Sequence, residues 1–236
     1  MVTHVLFDFF GTLITYAPNG PDHDFGRSHQ LLRGMGSPLG YQGYLAQWAA
    51  VGSRLDQEAD RTGREYAMRE LSAAFLRQAL DREPAAGEAD ALAGAYLADW
   101  NACVSYVPGL PQMLAGLSGR YRLAIVSNTS DTELVPAHLD AMGARDYFDA
   151  LILSVQVGWR KPHPQIYAAA LDKLGIGPSE AVFVGDSYGP DYHGPTQAGI
   201  RSFLIDPARA TEAPDHARLE SVLDLTGALA AVEQAR

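Results

Sequence analysis

From residue 122 onward the chain alternates short apolar runs, several rich in β-branched residues, with segments of helical spacing, and that rhythm leaves few folds open. The runs are 122–127, 151–154, 181–185 and 201–205, and another, 4–9, lies near the N-terminus. They read as strands. Between them, 132–142, 164–174 and 191–198 carry apolar residues at helical spacing, with Pro or Asp near their starts and Gly after their ends. Strand–helix alternation predicts an α/β fold, a doubly wound parallel sheet covered on both faces. In such sheets ligands bind at the carboxyl ends of the strands, so the residues following each strand are those to inspect.

Residues 16–101 break the rhythm. They contain helical segments at 30–35, 41–60, 66–80 and 88–101 and no good strand, between flanks rich in Pro and Gly (APNGPDHD and VSYVPGLP). The expected organisation is a core domain of residues 1–15 and 105–236 interrupted by a helical insertion, 16–104. Residues 206–215 are expected as a loop and 223–234 as a last helix. Trp48, Trp100, Tyr41 and Tyr44 fall at the spacing of a packed helical face, so core is their expected place.

A net charge of −10 argues against non-specific binding to nucleic acid or to an anionic membrane, both of which need clustered positive charge, and makes small-molecule chemistry the expectation. The N-terminus lacks the features of a signal peptide and no apolar run approaches a membrane span, so a cytoplasmic protein is expected. Cys103 is the single cysteine, so no intramolecular disulfide can form; its apolar neighbours predict a buried structural residue. The oligomeric state is not legible.

The strand ends present Asp8, then Ser127 and Asn128, then Lys161, then Asp186 and Asp191. Three carboxylates near one point repel unless a cation sits among them, and an all-oxygen site suits Mg²⁺. A lysine opposite them can hold both a nucleophile and a transferring phosphoryl group. Ser127, the amides after the first strand and a helix N-terminus can donate to phosphate oxygens.

In these positions the sequence resembles the haloacid dehalogenase superfamily. The family's first motif, D-x-D-G-T-[LV], is matched by Asp8-Phe9-Phe10-Gly11-Thr12-Leu13, its second by Ser127 in VSNTS, and its third by Lys161 in WRKPHPQIY. The fourth, G-D-x-x-x-x-D, is Gly185 through Asp191. The resemblance implies a Rossmann-like core with a first-type helical cap that selects the substrate. It implies that Asp8 attacks phosphorus to give an aspartyl-phosphate, which water then hydrolyses. It further implies Mg²⁺ held by Asp8, Asp186, Asp191 and the main-chain carbonyl of Phe10, with Gly11, Thr12, Ser127, Asn128 and Lys161 binding the phosphoryl group of a small metabolite.

One position departs from the pattern. Where the family's phosphatases carry a second Asp, which protonates the leaving oxygen and later deprotonates water, this chain has Phe10. Asp22, His23, Asp24 and His193 are the candidate substitutes, while His163, between two prolines, is expected to serve turn structure. An aromatic residue there also resembles the L-2-haloacid dehalogenases, metal-free enzymes in which Asp attacks carbon; Arg27 or Arg33 would then grip a carboxylate. Against this stands the pair Asp186 and Asp191, which such enzymes lack. A third possibility is a member that binds a phosphorylated ligand or a partner without turnover. Gly11 and Thr12 also suit a plain turn, and Asn128 and Thr129 suit caps of the helix that follows.

Overall fold

The computed structural model describes residues 1–16 and 24–234, which fall into two compact units, one of Met1–Thr15 with Tyr106–Arg236 and one of Tyr16–Ser105. The first is built on a six-stranded sheet: β1 (His4–Phe7), β4 (Arg122–Ser127), β5 (Phe148–Leu153), β6 (Ala181–Gly185), β7 (Arg201–Ile205) and β8 (Arg218–Leu219). Their order is β5-β4-β1-β6-β7-β8 and every pairing is parallel. The strand nearest the N-terminus thus lies at the centre, with His4–Phe7 in register with 122–125 on one side and 181–184 on the other.

Its helices are α5 (Leu110–Ser118), α6 (Leu134–Ala141), α7 (Ser154–Val157), α8 (Pro164–Leu174), α9 (Gly194–Gln197) and α10 (Leu225–Gln234). On one face of the sheet Leu6, Ala124, Val126 and Phe183 are buried with Ile166, Tyr167 and Ala170 of α8. The opposite-facing Val5, Phe7, Leu123, Ile125, Val182 and Val184 are equally sequestered, so both faces are covered as a parallel sheet requires. Pro164 starts α8 at a position where a missing N–H costs nothing, and Gly175, with φ +67°, ends it.

The second unit holds α1 (Gly26–Gly34), α2 (Tyr41–Thr62), α3 (Met68–Leu80) and α4 (Glu88–Asn101). The carboxylate of Glu70 accepts from the Ala67 amide (2.7 Å), and Gly63, at φ +73°, lets the α2 terminus close on Ala59 (2.7 Å). Tyr44, Trp48, Phe75 and Leu92 form its core, with Trp48 stacked on Tyr96 at 4.2 Å. Tyr41 and Trp100 pack against that core, in agreement with the spacing. Two short strands, β2 (Ile14–Tyr16) and β3 (Val104–Tyr106), mark where the chain crosses between the units. No helix among the described residues is long and apolar enough to cross a membrane.

Several expectations need correcting. β5 begins at Phe148, three residues before the expected run, because Asp149 interrupts the apolar pattern yet points outward from an edge strand; Ser154 already belongs to α7. The helix expected at 191–198 is a π-helical turn, Tyr188–His193, running into α9. Cys103 is half-buried rather than buried.

Candidate active site

Asp8 follows the last residue of β1, and its amide donates to the Val184 carbonyl (2.8 Å), extending the ladder one residue and fixing the carboxylate at the centre of the sheet's carboxyl edge. The chain then turns sharply. The carbonyl of Phe9 receives the amides of Thr12, Leu13 and Ile14 at 3.3, 2.9 and 3.3 Å. Gly11 sits in this turn with φ +86°, an angle that demands glycine, and a Cβ there would also displace the carboxylate of Asp186. Thr12 is buried and its hydroxyl donates to Asp8 Oδ2 (3.0 Å), with Asp186 Oδ1 at 3.5 Å. A hydroxyl has one proton, so in this arrangement Thr12 braces Asp8.

Lys161 reaches this point from the loop between α7 and α8. Its ammonium is buried and donates to Asp8 Oδ1 (2.7 Å) and Asp191 Oδ1 (2.6 Å). Asp191 is held in turn: its Oδ2 accepts from the Ser187 amide (2.9 Å), and its own amide donates to the Ser187 carbonyl (2.8 Å). A Cβ at Gly185 would overlap the Asp191 side chain, so the fourth motif also needs its glycine. Asp186 is the exposed carboxylate of the set. Ser127 is buried at the end of β4, its hydroxyl donating to the Asn128 carbonyl at a long 3.3 Å. The amide of Asn128 accepts from the Lys161 N–H at Oδ1 (2.7 Å) and donates from Nδ2 to the Lys161 carbonyl (2.9 Å). Its side chain is therefore engaged with the main chain of Lys161 and does not cap α6. Asp131 performs that cap, accepting from Glu133 and Leu134 (2.9 Å each).

Three carboxylates against one ammonium leave an excess of negative charge. Each of Asp8, Asp186 and Asp191 offers an oxygen within 4.8 Å of the others. Enclosure by neighbouring atoms, and then the charge of Asp8, push the Asp186 carboxyl up to about 6. Burial raises Asp191 further than Lys161 can lower it. Burial opposes the charge on Lys161, but the two carboxylates outweigh it and hold its pKa above the usual value. Crowded, under-neutralised oxygens of this kind fit a hard divalent cation. Carboxylates raised by folding contribute stability that is complete below about 3.8 and lost as pH rises through about 6. In buffer free of divalent cations, the melting temperature of the wild type should therefore rise relative to that of Asp186→Asn as pH is lowered from 8 to 5, a comparison in which the opposite contribution of buried His4 and His138 cancels. A flat or opposite difference in scanning calorimetry would refute this charge balance.

The ring of Phe10 is half-buried and meets Phe9 edge to face, centroids 5.1 Å apart. Among the substitutes for the missing acid, Asp22 and His23 lie outside the described residues. Asp24 accepts a hydrogen bond from Tyr41 in the helical unit. His193 is exposed and stacks toward Tyr188, 6.2 Å between centroids. His163 accepts from the Gln165 amide (3.3 Å) at the start of α8 and stacks on Trp159 at 4.0 Å, the turn role expected of it. Arg27 lies 3.8 Å from Asp99, and Arg33 is exposed in the last turn of α1. Sequence reasoning missed Ser154, whose hydroxyl accepts from the Thr129 amide (2.8 Å) and donates to the Thr129 carbonyl (3.1 Å). A contact between residues 25 positions apart leaves no local pattern to find.

Comparison with known proteins fits this geometry. The chain is 32% identical over 232 residues to ribulose-1,5-bisphosphate 5-phosphatase of Halopiger xanaduensis, covering 95% of this chain and 94% of that one. It is also 32% identical to glyceraldehyde 3-phosphate phosphatase of Methanothermobacter thermautotrophicus, over 45% of this chain and 46% of the relative. The crystal structure of 2-haloacid dehalogenase from Pseudomonas syringae pv. Tomato superposes with a TM-score of 0.71 at 23% identity, covering 98% and 99% of the two chains, a likeness of fold. The sequence pattern of the haloacid dehalogenase-like hydrolases matches residues 2–199, and to that family this chain belongs.

Proposed function

We propose that the protein is a Mg²⁺-dependent phosphatase that hydrolyses a small phosphorylated metabolite through Asp8. The carrying observation is the pairing of Asp8 with Lys161 inside a cluster of three carboxylates. Two further acids beside a nucleophile suit a site that binds a cation and a phosphoryl group, and would repel the carboxylate of a haloacid. The near full-length relative with phosphatase activity in its name supports the same reading.

In this mechanism an Asp8 oxygen attacks phosphorus in line, the ester P–O bond breaks, and water then cleaves the aspartyl-phosphate to release phosphate and restore Asp8. Lys161 holds the attacking carboxylate and neutralises phosphoryl oxygens, and Ser127 can turn its hydroxyl toward them. Asp8, Asp186 and Asp191, with the Phe10 carbonyl, would hold Mg²⁺, which supplies further charge neutralisation when bound. Residues 16–104 serve as the cap that selects the substrate.

Phe10 favours a second reading, a metal-free dehalogenase in which Asp8 attacks carbon. Hydrolysis of p-nitrophenyl phosphate with Mg²⁺ and with EDTA, beside halide release from 2-chloropropionate, separates the two. Mg²⁺-dependent phosphate release is expected, and EDTA-insensitive halide release would overturn the phosphatase. Under the phosphatase reading Phe10→Asp supplies the missing proton donor. It should raise turnover of an alkyl phosphate, whose leaving group needs protonation, by about 10²–10⁴-fold, with a smaller gain on the nitrophenyl ester. Equal rates for both substrates in this variant would mean that another group already provides the proton.

A further inference from the structure

We propose that Asn128 is the positioning residue of Lys161, supplying the main-chain partners of a residue that lies outside the strands. Lys161 lies between the end of α7 at Val157 and the start of α8 at Pro164 and belongs to no strand. Its own N–H and C=O nevertheless end on one side chain, at 2.7 and 2.9 Å. These two bonds reproduce the reciprocal pair that facing residues exchange in an antiparallel ladder. A primary amide offers the donor and acceptor on one planar group, and Gln would carry it a methylene too far.

Asn128 directly follows β4, which pairs with both β1 and β5, so the lysine is referenced to the most constrained part of the sheet. The adjacent residue is fastened in the same manner. Ser154, directly after β5, both accepts from and donates to the main chain of Thr129. The ends of β4 and β5 are thereby tied together, and the main chain of Lys161 is tied to them. This matters because a buried ammonium between two carboxylates is tolerated only at good geometry. The kinetic part of the inference rests on Asp8 and Lys161 being the reacting pair of the proposed phosphatase; the positional part rests on the hydrogen bonds alone.

The chain has only two lysines, Lys161 and the exposed Lys173, so one can serve as the internal reference for the other. Reductive dimethylation of the full chain, read by peptide mass spectrometry, should modify Lys173 and spare Lys161 in the wild type. Asn128→Ala removes both bonds. Asn128→Asp keeps the shape and the acceptor but sets an oxygen against the Lys161 carbonyl. Labelling of Lys161 relative to Lys173 should rise in both variants, by about tenfold or more in Asn128→Ala, which loses both bonds, and by a few-fold in Asn128→Asp. A displacement of about 1 Å at the reacting groups should also lower kcat by about 10²-fold, with KM changed much less.

Unchanged protection of Lys161 in both variants overturns the proposal, and unchanged protection with a raised KM assigns Asn128 to the substrate instead. If Asn128→Ala does not fold, Asn128→Asp carries the test; wild-type behaviour in that isostere would show that Asn128 only fills space. Should the wild type release no phosphate, the phosphatase reading fails by itself, and the labelling still decides the role of Asn128.

Discussion

Asp8→Asn should release no measurable phosphate while losing no stability. Removal of an enzymatic nucleophile costs on the order of 10⁴–10⁶ in turnover, and an amide cannot replace the carboxylate in attack. The thermodynamic side runs the other way. Asp8 is one of three clustered carboxylates, two of which share a single ammonium, and its charge helps to raise Asp186. Neutralising it relieves that repulsion while Lys161 keeps Asp191 at 2.6 Å. The melting temperature without divalent cations should stay level or increase, and the Asp186 carboxyl should titrate at lower pH, which carboxyl-detected NMR can follow. An active Asp8→Asn protein would sink both enzymatic readings. An inactive but strongly destabilised one would contradict the repulsion.

Lys161→Met should be the most destabilising change at the site. It leaves Asp8 and Asp191 buried without their shared partner, and breaking a buried ion pair from one side costs about 3–5 kcal/mol. The loss should depend on pH in a stated direction. Without the ammonium Asp191, already raised by burial, moves further up, so the penalty is greatest where it must be charged and shrinks as it takes up a proton. Urea denaturation should therefore show a large deficit relative to wild type at pH 8 and a clearly smaller one at pH 5.5. A deficit of equal size at both would mean that lost packing, not unpaired charge, governs the effect.

Much of the fold was legible because its signals are local. The strands 181–185 and 201–205 and the helices 164–174 and 88–101 have the limits expected from apolar periodicity and flanking Pro and Gly. The start of β5 was not, since Asp149 points outward from this edge strand, and β2, β3 and β8 are too short to carry a period. Asp8, Lys161, Asp186 and Asp191 could be named as one group because each follows a strand that the topology brings to the same edge. The commitment of Thr12 to Asp8 and of Asn128 to Lys161 was hidden. Which of two chemically able partners a hydroxyl or amide selects depends on distances of tenths of an ångström, and the Asn128–Lys161 contact spans 33 residues. The π-helical turn was read as ordinary helix because its apolar spacing is nearly the same.

The position of β1 also governs how the chain can be made. The central strand is the first to leave the ribosome, and all four of its residues are buried in the finished protein. Its neighbours begin only at Arg122 and Ala181, so at about 5–20 residues per second its edges wait on the order of ten seconds for partners. The helical unit, contiguous in sequence, can close during that interval. During synthesis the strand that later organises the chemistry is thus the one whose edges stay open longest.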